Sequence, residues 1–182
     1  METDNTQLEG ETLKNKYLKL ESQGIFNATC KKTKKSDFFK TGENGITKLC
    51  LNDNFKKIFL SLVDETIISR GIKVEKLKIN KPINNLKIQQ EITGKVQSPN
   101  DIAVKIIALV SAQPKGEDGV LLNNGYANIF YFNHDGRLFY VLVNWHIDED
   151  EWYCSCCEAI GYTWNASRCI FTIVTEAQSS EA

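Results

Sequence analysis

Residues 126–145 read YANIFYFNHDGRLFYVLVNW. Two runs rich in β-branched and aromatic residues, 126–132 and 138–145, flank a polar link that contains Asp135-Gly136. Glycine takes the positive φ that a tight hairpin connection needs, so the stretch predicts two antiparallel strands. In the second run Phe139, Val141, Val143 and Trp145 fall on one face, and Leu138, Tyr140, Leu142 and Asn144 on the other. Both faces are mostly apolar, which predicts a central strand covered on both sides. Helices of the same chain would cover one face. The other calls for more of the chain or for a partner.

Four successive carboxylates follow, Asp148-Glu149-Asp150-Glu151. They repel one another and want water, which predicts an exposed turn. Residues 152–157 and 169–175 predict a third and a fourth strand, with 161–167 as an irregular link. The small polar end, 176–182, is expected to fray.

Upstream, the apolar spacing of Leu13, Tyr17, Leu18 and Leu20 with Gly24 behind it predicts a first helix over 11–23. Residues 46–51 predict a short strand. Phe55, Ile58, Phe59, Leu62, Val63 and Ile67 form a broad stripe at helical spacing ahead of Gly71, which predicts a helix over 55–70. Residues 72–79 alternate as a half-exposed strand, and 86–96 fits either a strand or a helix. Ser98-Pro99-Asn100-Asp101 is a helix start, with Ser as cap, Pro in the first turn and Asp at the positive end of the dipole. The helix predicted from there to about Ala112 is apolar nearly all round and therefore buried.

The expected fold class is α+β: an antiparallel β-meander of about four to six strands, packed on one face by two main helices, with an N-terminal helical extension. The expected division is an N-terminal helical and basic extension at 1–45, an α+β domain at 46–176 and a flexible tail at 177–182. At 182 residues the chain is long enough to bury a core without metals or disulfides.

The net charge of −1 is unevenly spread. Up to Lys105 there are nineteen Lys/Arg against thirteen Asp/Glu, and beyond it three against ten. Phosphates would be repelled by the acidic sheet end, so no nucleic acid is expected as a partner there. Positions 1–20 are polar, without the apolar run of a secretory signal, and no apolar stretch is long enough to span a bilayer. The expected place is the cytoplasm, with the cysteines as thiols. The Asn/Lys/Ile-rich composition and polar tail are also compatible with a translocated bacterial effector.

The sharpest chemical pattern is Cys154-Ser155-Cys156-Cys157 with His146 upstream and Cys169 downstream. His146, Cys154, Cys157 and Cys169 make a nominal one-His, three-Cys zinc set. Against it, a strand at 152–157 would turn Cys154 and Cys157 to opposite sides, so small buried thiols in a sheet are the favoured interpretation and no cofactor is expected. A nucleophilic cysteine is opposed by the neighbouring carboxylates, which hold a thiol protonated. Those carboxylates lack the spacing of a calcium loop and fit a solvated turn or an acidic contact for a basic partner. The basic run at Lys31, Lys32, Lys34 and Lys35 beside Phe38-Phe39 has the composition of a phosphate-touching, base-stacking segment, but a solvated loop is favoured. Phosphate-binding glycine loops, Gly-x-Ser-x-Gly and His-Glu-x-x-His are all missing from the sequence.

Three functions follow. The first is a non-enzymatic protein-interaction or regulatory module that uses an apolar sheet face and exposed aromatics such as Tyr162 and Trp164, with a protein partner or a second copy covering it. The second is a small-ligand-binding protein or enzyme with a pocket between helix and sheet, lined by Tyr140, Trp145, His146, Cys154 and Cys169. The third is the small zinc domain.

Overall fold

The computed structural model describes residues 17–26, 31–69 and 72–173. In chain order the elements are β1 (Leu18–Phe26), β2 (Lys31–Lys34), α1 (Lys35–Phe38), β3 (Gly42–Glu43) and β4 (Lys48–Leu51). A π-helical turn (Phe55–Phe59) runs into a 3₁₀ turn (Leu60–Leu62). Then come β5 (Thr66–Ser69), β6 (Ile72–Ile79), β7 (Ile83–Asn84), α2 (Asn85–Glu91) and α3 (Pro99–Ala112). The carboxy-terminal part is β8 (Asn128–His134), β9 (Arg137–His146), β10 (Glu151–Glu158), β11 (Thr163–Trp164) and β12 (Cys169–Thr172).

The hairpin at the centre of the sequence forms as its turn chemistry dictates. His134 pairs with Arg137, leaving Asp135 and Gly136 as a two-residue connection. Both have positive φ, +48° and +72°, the requirement of the turn whose twist matches the flanking strands. β10 then pairs antiparallel with β9, with Trp152 opposite Trp145.

Beyond those three strands the expected α+β meander is overturned. The chain is a mixed α/β fold around one eight-stranded sheet, in the order β1-β6-β12-β8-β9-β10-β4-β3. β12 does not follow β10 across the sheet. It inserts between β6 and β8, antiparallel to the first and parallel to the second. β10 instead meets β4 in parallel, Trp152 opposite Leu49. The physical reason lies in cross-strand packing, which short segments do not advertise on their own. In the parallel pair Phe171 lies opposite Phe130, and their rings stack with centroids 5.0 Å apart.

Two predicted helices are also corrected. In place of the N-terminal helical extension, Leu18–Phe26 is an edge strand antiparallel to β6; residues 11–16 of that expectation lie outside the described residues. Leu18 packs in the core while Leu20 stands about half exposed, so the leucines do not share one buried stripe. The helix expected over 55–70 lasts only through the π and 3₁₀ turns. Lys35 ends it, donating from Nζ to the carbonyls of Leu60 (3.0 Å) and Val63 (2.8 Å). Thr66–Ser69 then pairs with β2 as a separate two-stranded ribbon. α3 forms as expected, with the Ser98 hydroxyl accepting from the Asp101 amide.

The sheet is covered on both faces, by different elements. On the first face α3, the π-helical turn and the Phe38-Phe39 pair pack over Phe130, Phe132, Val141, Val143, Trp152, Cys154 and Phe171. On the second face α2 and the β7–β11 ribbon pack over Leu77, Ile79, Ile129, Tyr131, Tyr140 and Ile170. Each large side chain fully removed from water contributes on the order of 1.5–3 kcal/mol. The two stretches expected as main helices, 55–70 and 98–112, both pack into the first-face core, while the second face is covered by α2 and the β7–β11 ribbon.

Candidate functional site

The sequence-nominated residues do not converge. Cys154 sits opposite Val143 and is sealed in the first-face core. Cys157 sits opposite Tyr140 and packs with the second-face cluster. The period of two along β10 places these thiols on opposite sides, so they cannot share one ion in this strand. Cys169 belongs to the first face, on β12, where its Sγ meets Glu21 Oε2 at 3.7 Å. His146 ends β9 beside the acidic turn. Among the described residues no group of three or more His, Cys, Asp and Glu side chains is arranged to hold a metal. Of the five pocket candidates, Trp145 meets Trp152 edge-on on the first face, and Tyr140 meets Trp164 edge-on on the second. The space between α3 and the sheet is filled by apolar side chains.

Burial pushes the Cys156 and Cys169 thiols up to about 12 and raises Cys154 further. Cys50 is raised as well, by burial first and then by the Glu151 carboxylate. At neutral pH the buried thiols of Cys154, Cys156 and Cys169 are therefore held protonated, which disfavours them as nucleophiles.

What stands out is where the covering of the second face stops. Over the middle of β6, β12 and β8 it buries Leu77, Ile79, Ile170, Ile129 and Tyr131, leaving Lys73 and Asn133 exposed toward the strand ends. Toward β10 and β4 the same face carries Leu142, Asn144, Tyr153, Cys157 and Cys50, all only partly buried, around a buried Ser155. The ring of His146 stacks on Tyr153, and its Nδ1 lies 3.9 Å from Glu149 Oε2. Lys48 reaches the same corner, 3.3 Å from Glu151 Oε2, and donates to the Glu149 carbonyl at 2.7 Å. Lys48, with Lys115 in the cleft beside Asp150, faces the carboxylates of 148–151 together with Glu43, and the corner is net acidic. Ile147–Asp150 is a turn, as the carboxylate run predicts, with Asp150 at φ +48°. Near Tyr140, Tyr162 is half exposed and Ile160 largely so; Leu86 of α2 is exposed next to them, where the Asn85 amide donates to the Tyr162 carbonyl at 3.0 Å.

Trp164, expected at the surface, is buried: its Nε1 donates to Asn85 Oδ1 and to the Tyr131 hydroxyl, each at 2.9 Å. Tyr153, Asn144 and Cys50 were not singled out by sequence. The signal available for them is the change along β9 and β10 from apolar Leu138 and Tyr140 to polar Asn144, His146 and Ser155 on one alternating face.

Beside a cleft of about 310 Å³ lined by Trp145, Lys48, Lys115 and Asp150, and another of the same size at Gln89, Thr93 and Asn133, the described surface carries two larger clefts. One, of about 560 Å³, is lined by Lys32, Lys34, Asp37, Phe38, Asn44, Ile46 and two threonines. The other, of about 430 Å³, lies at the hairpin tip among Lys57, Ser61, His134, Arg137 and Glu158. Its cations are matched locally: Arg137 pairs with Glu158 at 3.2 Å, and Lys57 lies 3.9 Å from Asp53. No helix of the described residues is long and apolar enough to cross a membrane.

No protein-family model, curated protein or solved structure matches the chain.

Proposed function

We propose that this chain is a non-enzymatic interaction module that binds a basic segment of a partner protein across the uncovered half of its second sheet face. The observation that carries this reading is the half-open face itself, with the Tyr153–His146 stack beside Glu149 and Glu151 at one end and exposed Tyr162 and Ile160 toward the other. Aromatic rings flanked by carboxylates suit a segment of lysine or arginine with apolar residues. Its cations would meet the acidic turn and stack on the rings, and its apolar side chains would cover Leu142 and Cys157. The burial of Cys154, Cys156 and Cys169 supports a role in binding over one in covalent chemistry.

The test is an amide-resolved NMR titration of the isotope-labelled protein with two peptides of equal length, one alternating arginine with tyrosine and leucine, the other with glutamate for arginine. The arginine peptide is expected to shift Asn144, His146, Tyr153 and Cys157 saturably, with the effect fading as salt is raised. Equal response to both peptides, or shifts confined to other surfaces, overturns the reading. Self-association through the same face, seen as concentration-dependent shifts without peptide, would assign the surface to a second copy instead.

A further inference from the structure

A separate site is carried by the cleft of about 560 Å³ beside the β2–β5 ribbon. Lys32 and Lys34 are two apart on β2 and share one ribbon face, and Thr66, opposite Lys34, shares it with them. All three line the cleft. The facing wall is α1, with Asp37 and Phe38, and the turn carrying Asn44 and Ile46. That turn is pinned: Asn44 Nδ2 donates to the Phe38 carbonyl at 2.8 Å, and its Oδ1 accepts from the Ile46 and Thr47 amides at 2.9 Å. The wall is therefore formed before any ligand arrives.

Most of the neighbouring lysines are neutralised. Lys35, next in the run, is consumed by the Leu60 and Val63 carbonyls and lies 3.8 Å from Glu65. Lys48, Lys56, Lys57, Lys76, Lys78, Lys87 and Lys95 each have a carboxylate within 4.0 Å. Among the described residues Lys32 and Lys34 have none, as is true of Lys19, Lys40, Lys81 and Lys115, but of these only Lys32 and Lys34 sit together on one strand face, where they repel each other. A bound anion between them offsets that repulsion and forms charge-assisted hydrogen bonds. Asp37 across the cleft repels a second anion but accepts from hydroxyl groups. Phe38 and Ile46 add apolar surface. The volume is that of a small-molecule site.

We infer that this cleft binds a small organic phosphate bearing hydroxyl groups, with the phosphate held by Lys32 and Lys34 and a ligand hydroxyl donating to Asp37. The site shares no residue with the uncovered sheet half, so it stands or falls independently of the interaction reading. The same chemistry occurs in a free sugar phosphate and in the backbone of a nucleic acid, and the test separates them.

The experiment titrates the full chain with ribose 5-phosphate, ribose, inorganic phosphate and a single-stranded RNA oligonucleotide, read by calorimetry and by amide shifts at Lys32, Lys34, Asn44 and Thr66. Ribose 5-phosphate is expected to bind saturably and more tightly than inorganic phosphate, and ribose not at all. Lys32→Ala with Lys34→Ala is expected to weaken ribose 5-phosphate about tenfold or more, as loss of charge-assisted bonds dictates, while arginine at both positions retains it. Asp37→Asn is expected to weaken ribose 5-phosphate but not inorganic phosphate. All these side chains are exposed, and unchanged melting confirms that the variants fold. Absence of saturable binding, binding indifferent to the double alanine variant, equal affinity for inorganic phosphate, or preference for the oligonucleotide each overturns the inference.

Discussion

The imidazole of His146 lies face to face with the ring of Tyr153, centroids 4.9 Å apart and planes 7° from parallel. The pair spans the β9–β10 ladder diagonally, since His146 is opposite Glu151 and Tyr153 is opposite Asn144. It sits on the rim, where replacing it removes recognition without opening a core. Tyr153→Ser and Glu151→Lys are each expected to weaken the arginine-containing peptide by about tenfold, roughly 1.4 kcal/mol. Melting should stay within a few degrees, because partly exposed surface pairs such as Lys48–Glu151 contribute on the order of 1 kcal/mol or less. Fluorescence anisotropy and thermal melts measure the two effects.

Gly116 has φ +67°, and a Cβ on it would fall into the indole of Trp145. Neither strain is relieved easily, because Trp145 is held edge-on by Trp152, whose Nε1 donates to the Gln113 carbonyl at 2.8 Å. Gly116→Ala is expected to cost about 2–4 kcal/mol from left-handed backbone strain plus overpacking. Urea denaturation gives the number, and Gly136→Ala, with positive φ but open space around it, should cost less.

A buried triad joins the sheet to its second-face cover. Tyr131 donates to Asn85 Oδ1 at 2.8 Å, and Trp164 donates to both. Asn85 Nδ2 is buried without a partner among the described residues, so the triad already carries one unmet donor. Tyr131→Phe leaves Trp164 a remaining acceptor and should cost about 1 kcal/mol; Asn85→Ala should cost about 1–3 kcal/mol. The double variant should cost less than the sum, which a double-mutant cycle detects.

Lys105 is buried on α3, hydrogen-bonded to Gln97 Oε1. Burial lowers its ammonium to about 8, with the Asp101 charge pulling the other way. Below about pH 8 the amine is charged whether the chain is folded or not, and the full cost of burying the charge is present. Between about 8 and the usual 10.5 the unfolded chain holds more protons, so this group's contribution to stability rises with pH. Lys105→Met is expected to be more stable than the parent at pH 7 by about 1–3 kcal/mol, a gap that narrows toward pH 10. Measuring the difference between the two proteins cancels the opposing titration of the buried thiols.

Much of the local structure was legible because it rests on local chemistry. Asp135-Gly136 fixes the hairpin, Ser98-Pro99 and Asp101 start α3, and the carboxylate run marks the β9–β10 turn. The order of strands was not legible. Nothing in Cys169–Thr172 announces that it will lie between β6 and β8, since that choice is made by Phe130 and Ile129 from far along the chain. The stripe from Phe55 to Ile67 was misread because its apolar residues do pack inward, but through a widened turn and a strand whose break depends on Lys35. The candidate site was half legible. Apolar alternation on both faces of β9 predicted cover on both sides, while the point where cover ends depends on the short β7–β11 pairing.

The claim on which the interaction reading depends is that the second sheet face is sealed by the chain over β8 and open over β10. Hydroxyl-radical footprinting with residue-resolved mass spectrometry tests it directly. Tyr153, His146 and Tyr162 are expected to be oxidised readily in the native protein, while Tyr131 and Trp164 are oxidised only after unfolding. Protection of Tyr153 to the level of Tyr131 would show the face closed by the chain itself and contradict the account.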